Sequence, residues 1–219
     1  FSSLTITLKY NTSLNSTPLW VGVDCMKVCV VGLGLMGGAL ARRLRVCGYS
    51  VVLYNRTLDK AYSLAREIGG EVAATPAECC ELADITAIFV ADDGALMDMV
   101  LPPSGFVERS RGKDIVNMST VSTSASERVY RMVEGYGGSY VEAPVYGSVS
   151  EVLEGRLTAI VASGRELSDR VREFLSSIAK RVVHVGGVPR AMALKLALNQ
   201  LNMVVVAALA ETISFLNIY

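Results

Sequence analysis

Two groups of residues in this chain have the types and spacing to do chemistry. The first is Lys195 and Asn199 in "AMALKLALNQL", where a separation of four places both on one face of a helix. An amine among alanines and leucines is costly to bury while charged, so partial desolvation lowers its pKa and suits it to give or take a proton near neutral pH. The plainer alternative is a lysine that lays its stem on apolar neighbours and keeps its head in water. The second group is Gly32, Gly34 and Gly37 in "VVGLGLMGGALARRL", a GxGxxG spacing. The three glycines of a dinucleotide loop do different things. Gly32 makes the turn, Gly34 admits a pyrophosphate to the backbone, and Gly37 lets helix pack on strand. The helix-terminal N–H groups then meet the phosphates.

That reading requires a strand before the glycines, a helix after them and a ribose-reading position about 20 residues on. All three are present: "KVCVV" precedes the loop, "LMGGALARRLRVCG" has helical character, and a second strand ends at Tyr54, Asn55 and Arg56. An Asp or Glu there would accept from the 2′-OH of NAD and repel a 2′-phosphate. "YNRT" offers Asn55, the guanidinium of Arg56 and the hydroxyl of Thr57 instead, which predicts a preference for NADP over NAD. The alternative for Arg56 is a merely solvated side chain.

The elements that must position these groups follow a regular order. Apolar, Val/Ile-rich runs at 27–32, 50–55, 71–74, 85–91, 114–118, 139–143, 157–163 and 181–185 predict strands buried on both faces. Helix-period segments fall near 35–47, 57–68, 76–83, 94–101, 122–136 and 165–179. Thr57, Thr75 and Ser122 are candidate N-caps, with Pro76 at the first helical position and Glu78 placed for a capping box. The alternation is that of βαβ units, so the fold class is α/β, a Rossmann-type doubly wound, mostly parallel sheet. From about Pro189 the chain reads as one long helix, apolar nearly all round, which fits the start of an all-helical second domain. The expected division is an irregular extension over 1–25, a cofactor domain over 26–188 and the first helix of a further domain over 189–219. Met26 is the expected functional start, and the absence of a helix stop signal before Tyr219 suggests a fragment.

Ligands bind at the carboxyl ends of strands in such sheets. "VADDG" from Val90 to Gly94 and "NMSTVST" from Asn117 to Thr123 lie there, with small and hydroxyl residues able to contact a nicotinamide. "VEAPVYGS" from Val141 to Ser148 ends in a Gly-Ser turn whose N–H groups can converge on a carboxylate.

Composition narrows the partner. With 51% apolar residues the chain has ample core, and 21 basic against 21 acidic residues, without a basic block, advertise no nucleic-acid or anionic-membrane surface. A small molecule is the expected partner. No window reaches the run of about 18–20 uninterrupted apolar residues of a membrane span; "MVVVAALA" at 203–210 ends at Glu211. Cysteines at 25, 29, 47, 79 and 80 form no CxxC pair, and the single His184 makes no metal site with them. They are read as reduced, buried thiols of a cytoplasmic protein.

Taken in order, "VGLGLMG" at 31–37, "NMSTVST" at 117–123, "EAPVYGSVSEVLEGRLTAIVAS" at 142–163 and "GGVPRAMALKLALN" at 186–199 resemble the β-hydroxyacid dehydrogenase family. This is the group of 3-hydroxyisobutyrate dehydrogenase and of tartronate and glyoxylate/succinic semialdehyde reductases, and the resemblance covers about 26–219. It implies hydride transfer between NADP(H), with NAD possible, and a small 3-hydroxy acid or its semialdehyde. It assigns Gly32, Leu33, Gly34, Leu35, Met36, Gly37, Val90, Ala91 and Thr120 to the cofactor, and Lys195 to acid/base catalysis with Asn199 holding lysine and substrate. Ser119, Tyr146, Gly147 and Ser148 fall to the substrate. The family's substrate loop A-P-V-S-G-G reads "APVYGS" here, so Tyr146 replaces a serine and Ser148 a glycine; Asn117 and Thr123 stand where Asp and Pro are usual. The family continues into helices that cover the site and form a homodimer or tetramer. Two alternatives are an NADP-binding relative without catalysis and an imine reductase, the latter disfavoured because such enzymes usually lack the lysine.

Overall fold

A computed structural model describes residues 26–218; the irregular extension expected over 1–25 lies outside the described residues. Strands β1 (Lys27–Val31), β2 (Ser50–Tyr54) and β3 (Glu71–Val72) alternate with helices α1 (Leu35–Val46), α2 (Leu58–Ile68) and α3 (Pro76–Leu82). Then come β4 (Ile85–Ile88), α4 (Asp93–Val100), β5 (Asp114–Asn117), α5 (Thr123–Gly135) and β6 (Ser139–Glu142). β7 (Val145–Tyr146), α6 (Val149–Leu153), β8 (Leu157–Ser163), α7 (Asp169–Ile178) and β9 (Ala179–His184) extend the sheet, and α8 (Arg190–Leu216) leaves it.

The strand order is β3-β2-β1-β4-β5-β6-β8-β7, with β9 also paired to β8. β3 through β6 run parallel, and β8 runs antiparallel to β6. The doubly wound, mostly parallel α/β fold read from the sequence is therefore the observed one. Because β1 lies between β2 and β4, the winding reverses there, and the crevice at the carboxyl ends of β1 and β4 is the place for a ligand.

Alternation along β1 divides the core. Val28 and Val30 pack with Leu40, Leu44 and Phe174 on one face; Cys29 and Val31 pack with Leu96, Phe106 and Val129 on the other. Both faces are covered, which is why the strands read as continuous apolar runs.

Several expected boundaries shift for local reasons. β3 stops at Val72 because the Ala74 N–H goes to the Glu78 carboxylate at 2.7 Å, turning the chain into α3. β4 stops at Ile88 because the Val90 N–H is claimed by the Ser119 hydroxyl at 3.0 Å. The helix expected from 165 begins at Asp169, capped by Ser168, whose hydroxyl accepts from Val171 N–H. Ser122 and Thr75 cap α5 and α3 as expected, whereas Thr57 occupies the N-cap position of α2 without a side-chain cap bond. The Gly-Ser turn leads into α6, a short helix not foreseen.

Two further expectations are corrected. Cys29 on β1 and Cys79 on α3 are disulfide-bonded, their Cα atoms 5.7 Å apart, so the reading of reduced thiols fails for this pair. Among the other described cysteines Cys80 is a free buried thiol and Cys47 is free but exposed. The pair lies 50 residues apart in the chain, and only the packing of α3 on β1 brings it together. Second, α8 is by length and composition long and apolar enough to cross a membrane, against the expectation that no segment qualifies. Only Ala191, Met192 and Lys195 of α8 are buried, while Leu201, Met203, Val205, Leu209 and Phe215 are among its exposed apolar residues.

The packing of α1 on β1 leaves no room at Gly37, where an added Cβ would lie 1.9 Å from the Gly32 carbonyl oxygen. Gly37→Ala is expected to destabilise the fold by about 1–3 kcal/mol, read as a lower urea midpoint. Gly135→Ala, in open space near the end of α5, leaves the midpoint unchanged or raises it slightly.

Candidate functional site

The glycine loop is built by backbone contact. Gly32 has φ +90°, and a Cβ there would lie 2.0 Å from the Phe89 carbonyl oxygen, so neither its conformation nor its neighbour admits a side chain. Gly34 differs: nothing lies within 4 Å of its Cβ position. The space a pyrophosphate needs is open there, and the first turn of α1, with its N–H groups lacking intrahelical partners, begins at the next residue. Leu35 is 83% exposed beside it. These features fit a dinucleotide.

The end of β2 is tied to this loop. The side-chain oxygen of Asn55 accepts from Leu33 N–H at 3.0 Å, and its amide nitrogen donates to the Thr57 carbonyl at 3.0 Å. Asn55 therefore braces two loops at the position from which the ribose contact is expected. Arg56 and Thr57 are exposed, and no carboxylate stands between them and Tyr54 in the sequence of this turn.

The loop after β4 is held from below. Ser119 is buried; its hydroxyl accepts from Val90 N–H at 3.0 Å and donates to the Ile88 carbonyl at 3.3 Å. This differs from the substrate contact expected of Ser119, because its bonding capacity is directed into the protein. Thr120, half-buried next to it, keeps a hydroxyl without a bonded partner among the described residues. Val90 is half-buried and Ala91 exposed at the crevice.

On the other side, Tyr146 stands against α8. Lys195 Nζ lies 5.0 Å from the centroid of its ring, and the Tyr146 hydroxyl accepts from the Asn202 amide at 3.0 Å. Lys195 is 9% exposed, and among the described residues no acidic group pairs with it. Burial holds its pKa below the ordinary lysine value. The residue as a whole is buried, with its amine set over the face of the Tyr146 ring. Asn199 is half-buried one turn on. Asn202 was not expected from the sequence, although its spacing of seven from Lys195 puts it on the same face.

The Gly-Ser turn is corrected in part. Ser148 N–H is spent on the Glu151 carboxylate at 2.7 Å, in a capping box that starts α6, and these bonds hold Glu151 below the usual carboxylate range. Ser148 is thus not free to receive a substrate carboxylate through its backbone. Gly147, at φ +144° and exposed, remains at the rim.

The start of α8 is pinned by an acid to which sequence patterns give no role. Glu142, fully buried at the end of β6, accepts from Ala191 N–H at 3.0 Å and Met192 N–H at 3.3 Å.

Comparison with known proteins bears on this geometry. The family described as the NAD binding domain of 6-phosphogluconate dehydrogenase matches residues 27–186. The chain belongs to that family. As an NAD-binding domain it has its cofactor crevice where β1 and β4 part. Among relatives, it is 33% identical over 186 residues to the cytokine-like nuclear factor N-PAC of Homo sapiens, covering 84% of this chain and 34% of that protein. It is 31% identical over 187 residues to glyoxylate/succinic semialdehyde reductase 1 of Arabidopsis thaliana, covering 85% of this chain and 64% of the reductase. Among solved structures, Psf3 in complex with NADP+ and 2-OPP superposes with a TM-score of 0.79 at 30% identity, covering 85% of this chain and 66% of Psf3. The chain thus spans about a third of N-PAC and somewhat under two thirds of the reductase.

Gly34→Val is expected to leave the urea midpoint nearly unchanged, because the site is open and its backbone extended. It should weaken NADPH binding by about tenfold or more through obstruction of the pyrophosphate approach, measured by cofactor fluorescence titration.

Proposed function

We propose that this chain is the cofactor-binding and acid/base part of an NADP(H)-dependent reductase or dehydrogenase of a small 3-hydroxy acid and its semialdehyde. The observation that carries the reading is Lys195: an amine without an acidic partner among the described residues, buried against Tyr146 on the helix that follows the cofactor domain. The cofactor, when bound, supplies or accepts hydride. The chain's own residues do the rest. In reduction Lys195 donates a proton to the oxygen of the carbonyl as negative charge develops on it; in oxidation it takes that proton back. Asn199 orients the substrate beside it, Thr120 offers a hydroxyl toward the nicotinamide side, and Gly147 lines the rim with Tyr146. Tyr146, bulkier than the serine of the family pattern, narrows the pocket toward a small acid.

NADP is the preferred cofactor because Arg56 and Thr57 are exposed at the ribose end and no acidic side chain occupies that turn. The complex of Psf3 with NADP+ supports the same choice, and the reductase of Arabidopsis thaliana supports the substrate class. The working protein is proposed to be a cytoplasmic homodimer or tetramer whose further helices cover the apolar face of α8. A second reading, NADP binding without turnover, is favoured by the similarity to N-PAC, which is named as a nuclear factor rather than an enzyme. Cofactor fluorescence with a screen of small semialdehydes separates the two: binding without turnover selects the second.

Lys195→Ala in the full chain is expected to lower turnover by several orders of magnitude with little change in NADPH affinity. In the intact protein, reduction should decline as pH rises through the Lys195 pKa, and oxidation should rise through it. Burial lowers that value, so the change sets in below the ~10.4 of a free lysine. Unchanged activity in the variant removes Lys195 from the reaction. Arg56→Ala should cost about 10- to 100-fold in NADPH affinity, the weight of a charge-assisted hydrogen bond, while NADH affinity stays level in parallel titrations.

A further inference from the structure

Glu142 does not touch the crevice, yet it sits between both halves of the site. Its side chain is wholly buried, a position that is costly for an acid without partners. Three donors converge on it: Ala191 N–H and Met192 N–H on one oxygen, and the Ser126 hydroxyl at 2.5 Å on the other. Behind Ser126 the network continues. The Tyr140 hydroxyl lies 2.9 Å from the Ser126 oxygen, and the Asn117 amide nitrogen donates to the Tyr140 oxygen at 2.8 Å. Asn117 in turn accepts Ser119 N–H at 3.0 Å, and Ser119 accepts Val90 N–H.

With Glu142 as a carboxylate, the direction of each bond in this chain follows. A backbone N–H only donates, so Ser119 fixes the Asn117 oxygen on its own side and the amide nitrogen toward Tyr140. The Tyr140 oxygen accepts there, so its proton goes on to Ser126, and the Ser126 proton goes to Glu142. Burial pushes the Tyr140 phenol far up, so it keeps that proton. Burial also raises the Glu142 carboxyl, against the three donors that favour its charged form. As an anion it lies at the positive end of α8 and holds the helix turn that precedes Lys195.

We propose that Glu142 is a positioning residue, which as a carboxylate clamps the first turn of α8 and so sets Lys195 against Tyr146. The Asn117–Tyr140–Ser126 chain ties that clamp to Ser119 and Val90, so one buried network holds the acid/base helix and the cofactor-side loop in a common frame. The assignment of a reaction to Lys195 rests on the functional reading above; the clamp itself does not.

The hydrogen-bond direction supplies the test. In Glu142→Gln the side-chain oxygen still meets Ala191 and Met192, but the amide nitrogen faces Ser126 and reverses the chain, leaving the Tyr140 proton without an acceptor. Adding Asn117→Asp provides that acceptor. Amide hydrogen exchange and steady-state kinetics are measured on the full chain for the wild type, Glu142→Gln, the Glu142→Gln/Asn117→Asp pair and the milder Ser126→Ala. Glu142→Gln and Ser126→Ala should speed exchange at Ala191, Met192 and Val90 by about tenfold or more, with α2 amides unchanged. In the same variants kcat falls about tenfold while KM and NADPH affinity stay within about threefold. The double variant recovers most of both. Unchanged exchange in either folded single variant, or faster exchange without a fall in kcat, overturns the proposal, as does a double variant no better than Glu142→Gln. A wild-type chain that binds NADPH and turns over no aldehyde defeats the functional reading instead, and the exchange rates then decide the clamp alone.

Discussion

The structure depends on a place where three backbone segments meet with no side chain between them. The Gly32 carbonyl is within reach of any Cβ on Gly37, and the Phe89 carbonyl within reach of any Cβ on Gly32. That contact sets how closely α1 approaches the sheet and how β1 and β4 diverge at their carboxyl ends. The crevice exists because they diverge, and the open position at Gly34 is its floor. Packing and binding therefore share one set of residues: a side chain at Gly37 disturbs the fold before any ligand is present, whereas one at Gly34 disturbs only what enters.

Around that point the polar groups sort by burial. Exposed ion pairs such as Arg42–Glu67 and Lys27–Glu71 lie on the outer surface, where solvent screening leaves them little weight in stability. The buried polar groups instead gather between β4, β5, β6 and the start of α8, and there they are almost fully bonded: Ser119, Asn117, Tyr140, Ser126 and Glu142 satisfy one another or a backbone group. A buried network of this kind costs more than apolar packing unless complete, so its completeness argues for a role in holding loops and helix in register. Lys195 departs from the pattern: it is buried, faces an aromatic ring and has no acidic partner among the described residues.

The reach of sequence reasoning ends at particular residues. Hydroxyl and amide side chains at strand ends often meet ligands, which is the ground for expecting Ser119 and Asn55 in contact with one. Both brace the loops that carry Val90 and Leu33, each accepting a backbone N–H from a neighbouring loop. Ser148 loses its expected N–H to a capping box whose glutamate, Glu151, is visible three residues on. The Cys29–Cys79 bridge and the pairing of Tyr146 with α8 join segments far apart in the chain, and no local pattern announces such contacts.

What the sequence determined by itself was whatever periodicity and short-range geometry encode. That includes the alternating strands and helices, the strand–glycine–helix turn, the non-acidic end of β2, and the common face of Lys195 and Asn199. These follow from bonds and spacings within a few residues, which the chain carries before it folds. Only the tertiary structure decided which side chains are spent and which are free. It set Lys195 against Tyr146, turned Glu142 inward beneath α8 and directed the Ser119 hydroxyl into the protein. The physical reason is that burial and partnership are properties of the strand order, and that order brings together residues the sequence holds apart.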